Sequence, residues 1–243
     1  MGLRAVVTGA SSGIGRELSK LLCRNRDSRV VGIGRNAVAL GGLEKEFAGC
    51  FHPVVADLSS LNGVEEAARK TGGLLDRIDL LVNNAGFGLY KRVLEHSEEE
   101  AWSLVAVNMV APIVLTKRLL HLMRPGSTAV FVISAGAHVV MLDLPLYGAA
   151  KAGLDYAVKA LRRELAEKGI HVLAVYPGVV KTSFHTRGGR PVDKGLDPRT
   201  VAEKILGAVK KRKKTLYVPR YLAVARLLSP LLPPVRVGGG SKR

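Results

Sequence analysis

Tyr147 and Lys151 stand four residues apart in Leu146-Tyr-Gly-Ala-Ala-Lys-Ala-Gly-Leu154, a stretch of small residues and good helix formers. On a helix the two side chains share one face, one turn apart, with only Gly148, Ala149 and Ala150 between them. An ammonium a few ångströms away favours the phenolate over the phenol. The pairing is therefore expected to draw the tyrosine pKa down from ~10, so that it can give or take a proton near neutral pH. Thirteen positions earlier, Ser134 closes the apolar run Thr128–Ser134. A strand there would deliver its hydroxyl to the carboxyl edge of a sheet, where α/β proteins meet their ligands. The plainer alternative is a surface Tyr and Lys that fall at this spacing by accident, and the elements around them decide between the two.

Leu3–Thr8 is a short, β-branched apolar run and reads as a buried strand. Thr8-Gly-Ala-Ser-Ser-Gly-Ile-Gly15 follows, and then helical periodicity from Arg16 to Leu22. Strand, glycine-rich turn and helix open a nucleotide-binding unit. The glycines admit a pyrophosphate to the backbone, and the helix N-terminus adds N–H groups and a positive dipole end. Gly9, Ser11, Ser12, Gly13, Ile14 and Gly15 are therefore expected at a cofactor. The second strand, Arg29–Ile33, ends in Gly34-Arg35-Asn36. An acid at that end would hold the ribose hydroxyls of NAD; Gly34 stands in its place and Arg35 follows. A guanidinium suits a 2′-phosphate, so NADP(H) is expected over NAD(H). The third strand, Phe51–Ala56, ends at Asp57-Leu58, with Asp57 placed to accept from an adenine amino group or to cap the helix near Ser60. The fourth, Ile78–Val82, runs into Asn83-Asn84-Ala85-Gly86.

Thr8-Gly-Ala-Ser-Ser-Gly-Ile-Gly15, Asn83-Asn-Ala-Gly86 and Tyr147-x-x-x-Lys151 together resemble the signature set of the short-chain dehydrogenase/reductase family, in order over about three quarters of the chain. The resemblance implies one doubly wound, Rossmann-type α/β domain, with a parallel sheet of about seven strands between helices. It implies reversible hydride transfer between NADP(H) and a small carbonyl or alcohol substrate, with Tyr147 as general acid and base. By the same resemblance Lys151 tunes Tyr147 and holds the ribose, Ser134 meets the substrate oxygen, and Asn108 supports a proton relay. Asn84, Ala85 and Gly86 would touch the cofactor, as would Pro177, Gly178, Val180 and Thr182 of the turn after the sixth strand. Ser134-Ala-Gly departs from the family's more frequent double serine. The competing reading is a non-catalytic NADP(H) sensor or scaffold of the same fold, which would not need Asn108, Ser134, Tyr147 and Lys151 together.

The remaining features set bounds. The chain has 243 residues, 47% of them hydrophobic, enough for a single cofactor-binding and catalytic domain over residues 1–219. Within it, Ser183–Leu196 lacks a core pattern and reads as a mobile substrate lid. Residues 220–236 form a C-terminal extension, and 237–243, Gly-rich and basic, a disordered end. Cys23 and Cys50 lack metal-ligand or disulfide-framework spacing and are expected to be reduced core thiols in a cytoplasmic protein. The six histidines are scattered, so no metal is expected, and His138 and Met141 either pack or border the substrate. No stretch reaches the ~20 apolar residues of a membrane span. The net charge of +17 is concentrated late: eleven Lys or Arg and no acid lie between Lys204 and Arg243. Tyr221–Leu232 is apolar on most sides, which suits three roles. It could cover a hydrophobic substrate's pocket, pack between subunits of a homodimer or homotetramer, or touch an anionic membrane in a reductase of lipidic ketones. Nucleic acid is excluded, since the basic run has neither interleaved aromatics nor a binding motif.

Overall fold

Apolar runs that alternate with amphipathic helices pack as a parallel sheet between two helix layers. The computed structural model, which describes residues 2–25, 27–231 and 233–237, has that architecture. Its strands are β1 (Arg4–Thr8), β2 (Arg29–Gly34), β3 (Phe51–Val55), β4 (Ile78–Asn83), β5 (Met123–Val132), β6 (His171–Pro177) and β7 (Thr215–Val218). They form one sheet in the order β3-β2-β1-β4-β5-β6-β7, every pair parallel. After β1 the chain winds outward through β2 and β3, then returns to build β4 on the other side of β1. That reversal opens a crevice at the carboxyl ends of β1 and β4, where open α/β sheets bind ligands.

Helices α1 (Gly13–Cys23), α2 (Ala37–Glu46) and α8 (Pro198–Lys210) cover one face, burying Leu18, Leu40, Leu43 and Ile205 against Val7, Val30 and Val82. On the other face lie α3 (Leu61–Leu74), α5 (Ala111–Leu119) and α6 (Pro145–Glu167). They pack Val64, Leu115, Leu119, Leu154 and Val158 on Val6, Leu81 and Phe131. A central strand buried on both sides must be apolar throughout, which is why these strands read as unbroken runs and not as alternations. α4 (Glu98–Val105) carries a full capping box, Ser97 accepting from Glu100 N while Glu100 accepts from Ser97 N. The remaining helices are α7 (Ser183–Arg187) and α9 (Leu222–Leu228).

Several expectations are corrected. Cys23 and Cys50 are joined as a disulfide, not held as reduced thiols. Their separation of 27 residues gave no hint, because α1 and β3 are brought together only by the folded sheet. Ser134 lies two residues beyond β5, as the N-cap of a short 3₁₀ turn over Ala135–His138. Asp57 does not cap α3; Ser60 does, accepting from Gly63 N. The lid is partly regular, since Thr182 caps α7, whose His185 is buried. By length and composition the helical run Glu98–Leu122 could cross a membrane, but in the fold it packs beside β4 and β5 and carries buried Asn108. Among the described residues, no three His, Cys, Asp or Glu side chains gather as a metal site. Residues 238–243 of the expected disordered end lie outside the described residues.

The extension is built against the domain. Val235 pairs with the loop after the 3₁₀ turn, its N–H donating to Val140 O and its carbonyl accepting from Leu142 N. α9 rests on that turn and on β7, with Leu222 beside Gly178. Beneath it the His138 ring lies tilted against Tyr176 at 5.0 Å and meets the Tyr217 hydroxyl at 3.0 Å, so His138 packs and does not border the cleft. Met141 is likewise buried, over Gly136 and Gly148. The basic run Lys210–Lys214 sits at the start of β7, whereas α9 follows its end.

Candidate active site

The glycine turn after β1 is shaped by what a side chain would strike. Gly13 has φ +54°, and a Cβ on it would come within 2.8 Å of Thr182. At Gly15 a Cβ would lie 2.4 Å from the Gly9 carbonyl, so only glycine lets α1 pass this close to β1. α1 has no acid in its first turn, and its N-cap Ser12 makes no side-chain cap bond. Its N–H groups and positive dipole end are therefore left for an anion. Thr8 ties this turn to the next loop, its hydroxyl accepting from Asn84 N and Ala85 N at 2.9 Å each. These features fit the diphosphate of a dinucleotide.

At one end of the crevice, Gly34 closes β2 with its α-carbon facing Ser11. The next residue, Arg35, is mostly exposed and lies 4.0 Å from the Asp57 carboxylate, itself half exposed. An ion pair that long and that wet contributes little. The guanidinium is thus available to a second anion. Asp57 also accepts from Ser59 N, which orders the chain just before α3.

At the other end, α6 begins at Pro145 and places Tyr147 in its first turn and Lys151 in its second. Lys151 is buried, 3% exposed, and its Nζ donates to Val132 O at 3.1 Å. It also lies 5.8 Å from the centre of the Tyr147 ring. Burial pushes the Lys151 pKa down to about 7, while burial, eased by a hydrogen bond from Ser134, pushes Tyr147 up to about 12. The expected lowering of Tyr147 is thus not what this geometry produces. Desolvation is the leading cause at both groups, and a lysine so easily neutralised supports a phenolate poorly. Tyr147 still opens on the cleft.

Asn108 stands behind the cleft, fully buried, in a π turn over Ala106–Val110 that interrupts the run from α4 to α5. Such a turn adds a residue and rotates the following side chains. Its Nδ2 donates to Phe87 O (2.8 Å) and Leu104 O (3.0 Å), while its Oδ1 has no protein partner. That oxygen and the Lys151 ammonium lie against the same face of Gly86.

The cleft holds about 480 Å³, within the usual range for small-molecule sites. Gly9, Ser11, Ser12, Gly13, Ile14, Arg35, Asp57, Leu58, Asn84, Ala85 and Gly86 line it, with Ser134, Tyr147, Lys151, Pro177, Gly178, Val180 and Thr182. Two expected residues do not: Gly15 is packed on Gly9, and Asn108 lies one layer deeper. Phe184, His185 and Arg187 of α7, inside the expected lid but not singled out there, line it too, as do Phe87 and Val107. Thr182 as an N-cap followed by Phe184 and His185 was the available signal for that short helix. Phe184 meets the Tyr147 ring edge-on at 5.1 Å, and His185 Nδ1 meets the Tyr90 hydroxyl at 2.7 Å.

A family model described as short chain dehydrogenase matches residues 4–190. The chain belongs to that family. It is 31% identical over 221 residues to an uncharacterised oxidoreductase of Staphylococcus saprophyticus, covering 85% of this chain and 91% of that one. Two solved structures share the fold and cover 98% of both chains. One is a short-chain dehydrogenase of Sphingobium yanoikuyae in complex with NADPH (TM-score 0.80, 23% identity). The other is a short chain dehydrogenase/reductase of Burkholderia phymatum in complex with NAD (TM-score 0.86, 20% identity). As a member of the family the protein is an oxidoreductase that transfers hydride with a nicotinamide cofactor.

Proposed function

We propose that the protein is an NADP(H)-dependent reductase of small apolar carbonyl compounds, with the reverse oxidation of the alcohol open to it. The observation that supports this best is the placing of Tyr147, Ser134 and Lys151 at one end of a single cleft and Arg35 at the other. The nicotinamide, when bound, supplies the hydride. Ser134 hydrogen-bonds the substrate oxygen and orients it. Tyr147, neutral at working pH, gives its phenolic proton to that oxygen. Lys151 holds the ribose hydroxyls, and Asn108 Oδ1, across Gly86 from it, would accept from a water that links Lys151 to solvent, so that the proton restoring Tyr147 comes from bulk water. Phe184, edge-on to Tyr147, and Phe87 line the cleft with apolar surface and favour a hydrocarbon flank next to the reacting group.

The relatives with solved structures carry either NADPH or NAD in their complexes, so cofactor choice rests on this chain's own residues. Arg35 beside a 2′-phosphate forms charge-assisted bonds that the ribose hydroxyl of NADH does not offer. Fluorescence titration should find NADPH bound more tightly than NADH by ~10–100-fold, and Arg35→Ala should erase most of that gap, at ~1.4 kcal/mol per tenfold. Tighter binding of NADH by the natural protein would overturn the assignment.

Two exposed apolar surfaces suit two partners. Trp102 and Tyr156, each 79% exposed, project from α4 and α6, which pack together, and we place a subunit contact of a homodimer or homotetramer there. Tyr221, Val224, Leu227 and Leu231 project from α9 and the turn after it, beside Arg220 and Arg226, and we place a peripheral contact with anionic membrane there. Lys210–Lys214, at the far end of β7, takes no part in that contact. In sedimentation, Trp102→Ser should dissociate the assembly without affecting vesicle binding. Leu227→Ser should release the protein from anionic vesicles without dissociating it. If neither substitution changes sedimentation, both contacts are wrongly placed.

A further inference from the structure

The lid carries two arginines in very different settings. Arg190 is committed: its guanidinium meets the Asp143 carboxylate at 2.6 Å and Val237 O at 3.2 Å, fastening the lid to the loop before α6 and to the C-terminal segment. Arg187 has no carboxylate within ion-pair distance among the described residues. Its Nε donates to Ser183 O at 3.1 Å, which lays the side chain back along α7. Its Nη2 then reaches across the cleft to the Ser12 hydroxyl at 3.1 Å, in the glycine turn. The same turn meets the lid a second time, where Thr182 abuts Gly13.

This contact brings two positive ends together. The start of α1 presents free N–H groups and a positive dipole end with no acid in its first turn. Arg187 adds a full, unneutralised charge to the same point. Among the described residues no carboxylate pairs with Arg187 to offset that repulsion, and an anion between the two would. The anion that the cleft is built to receive is the cofactor's diphosphate.

We propose that Arg187 is a lid-borne anchor for the cofactor's diphosphate, and that by gripping it Arg187 seats Phe184 and His185 beside Tyr147. The inference rests on dinucleotide binding in this cleft and is independent of the preference for NADP(H) over NAD(H). Phe184 and His185 lie within one helical turn of Arg187, and they form the wall against Tyr147 and the bond to Tyr90. A grip on the diphosphate would therefore hold this wall of the substrate pocket in place.

The test compares Arg187→Gln, which keeps a donor for Ser12 but no charge, with Arg187→Lys, which restores the charge. In fluorescence titrations Arg187→Gln should weaken NADPH and NADH alike by ~10–100-fold, the scale of charge-assisted hydrogen bonds. Binding of 2′-AMP, which lacks the diphosphate, should stay within about two-fold, and Arg187→Lys should recover part of the loss. Hydrogen exchange over residues 183–196 should slow on adding NADPH to the natural protein but not to Arg187→Gln. Dinucleotide affinities unchanged in Arg187→Gln would overturn the proposal, as would a matching loss of 2′-AMP binding, which marks a general disturbance. If the natural protein prefers NADH, the Arg35 reading falls, and the effect of Arg187 on both dinucleotides still stands or fails by itself.

Discussion

Tyr147→Phe should lower turnover by ~10²–10⁴-fold, the contribution of a positioned general acid, while leaving NADPH affinity unchanged. The substitution removes one hydroxyl and little else. The ring keeps its edge-on contact with Phe184 and its place in the first turn of α6, and Lys151 keeps its bond to Val132 O. Steady-state rates on a carbonyl panel, with a parallel NADPH titration, read the two effects separately. A scaffold that only binds the cofactor would have no turnover to lose, and normal turnover in the variant would remove Tyr147 from the chemistry. The direction of the Tyr147 shift adds a pH signature. A phenol pushed up to about 12 is protonated across the working range, so reduction has its acid ready at neutral pH. Oxidation needs the phenolate and should accelerate steadily as pH rises into the alkaline range, whereas the reductive rate should show no loss of acid below pH ~10.

Lys151→Met should abolish turnover and yet stabilise the fold. Burial lowers the Lys151 pKa from 10.5 to about 7, so the unfolded chain holds a proton there that the folded one releases. A group depressed in this way disfavours folding most strongly below pH 7. The penalty fades as pH climbs from 7 toward 10.5, so the natural protein gains stability through that window. At pH 7 the penalty is on the order of 4 kcal/mol. Loss of the bond to Val132 O offsets about 1 kcal/mol of the gain on removing the amine. Thermal unfolding at pH 7 should therefore show Lys151→Met melting higher by ~5 °C or more. The difference should shrink as both proteins are taken toward pH 10. A variant that melts no higher at pH 7, or a gap that ignores pH, would show that the ammonium is better solvated than its surroundings indicate.

What could be read from the chain was local. Tyr147 and Lys151 share a face because helices repeat, and β1, β2 and β6, with β4 apart from Asp79, appear as apolar runs because both of their faces are buried. The glycine turn, Arg35 and Asp57 follow from their places after successive strands. What could not be read depends on how distant segments meet. The Cys23–Cys50 bond needs the end of α1 laid beside the start of β3. The π turn at Asn108 is a one-residue insertion that periodicity cannot resolve. Arg187 became visible only when α7 was laid against Ser12, 175 residues away in sequence. The balance at Tyr147 inverted for a related reason: spacing shows which charges are neighbours, but not how much water each has lost.

The Cys23–Cys50 bond closes a covalent ring around β2 and α2, and Arg35 lies inside that ring. Arg35, though not the neighbouring Asp57, therefore belongs to a segment whose unfolded freedom is curtailed by a cross-link. The segment around Phe184 is held instead by non-covalent contacts, among them the Arg190–Asp143 pair, the His185–Tyr90 bond and the backbone bond from Tyr90 N to Gly188 O. On the readings proposed above, the two ends of the site meet at Arg187, which lies in one segment and reaches the glycine turn of the other. An exchange of residues 183–196 that keeps Arg187 should therefore alter the substrate while leaving the preference assigned to Arg35 inside its ring.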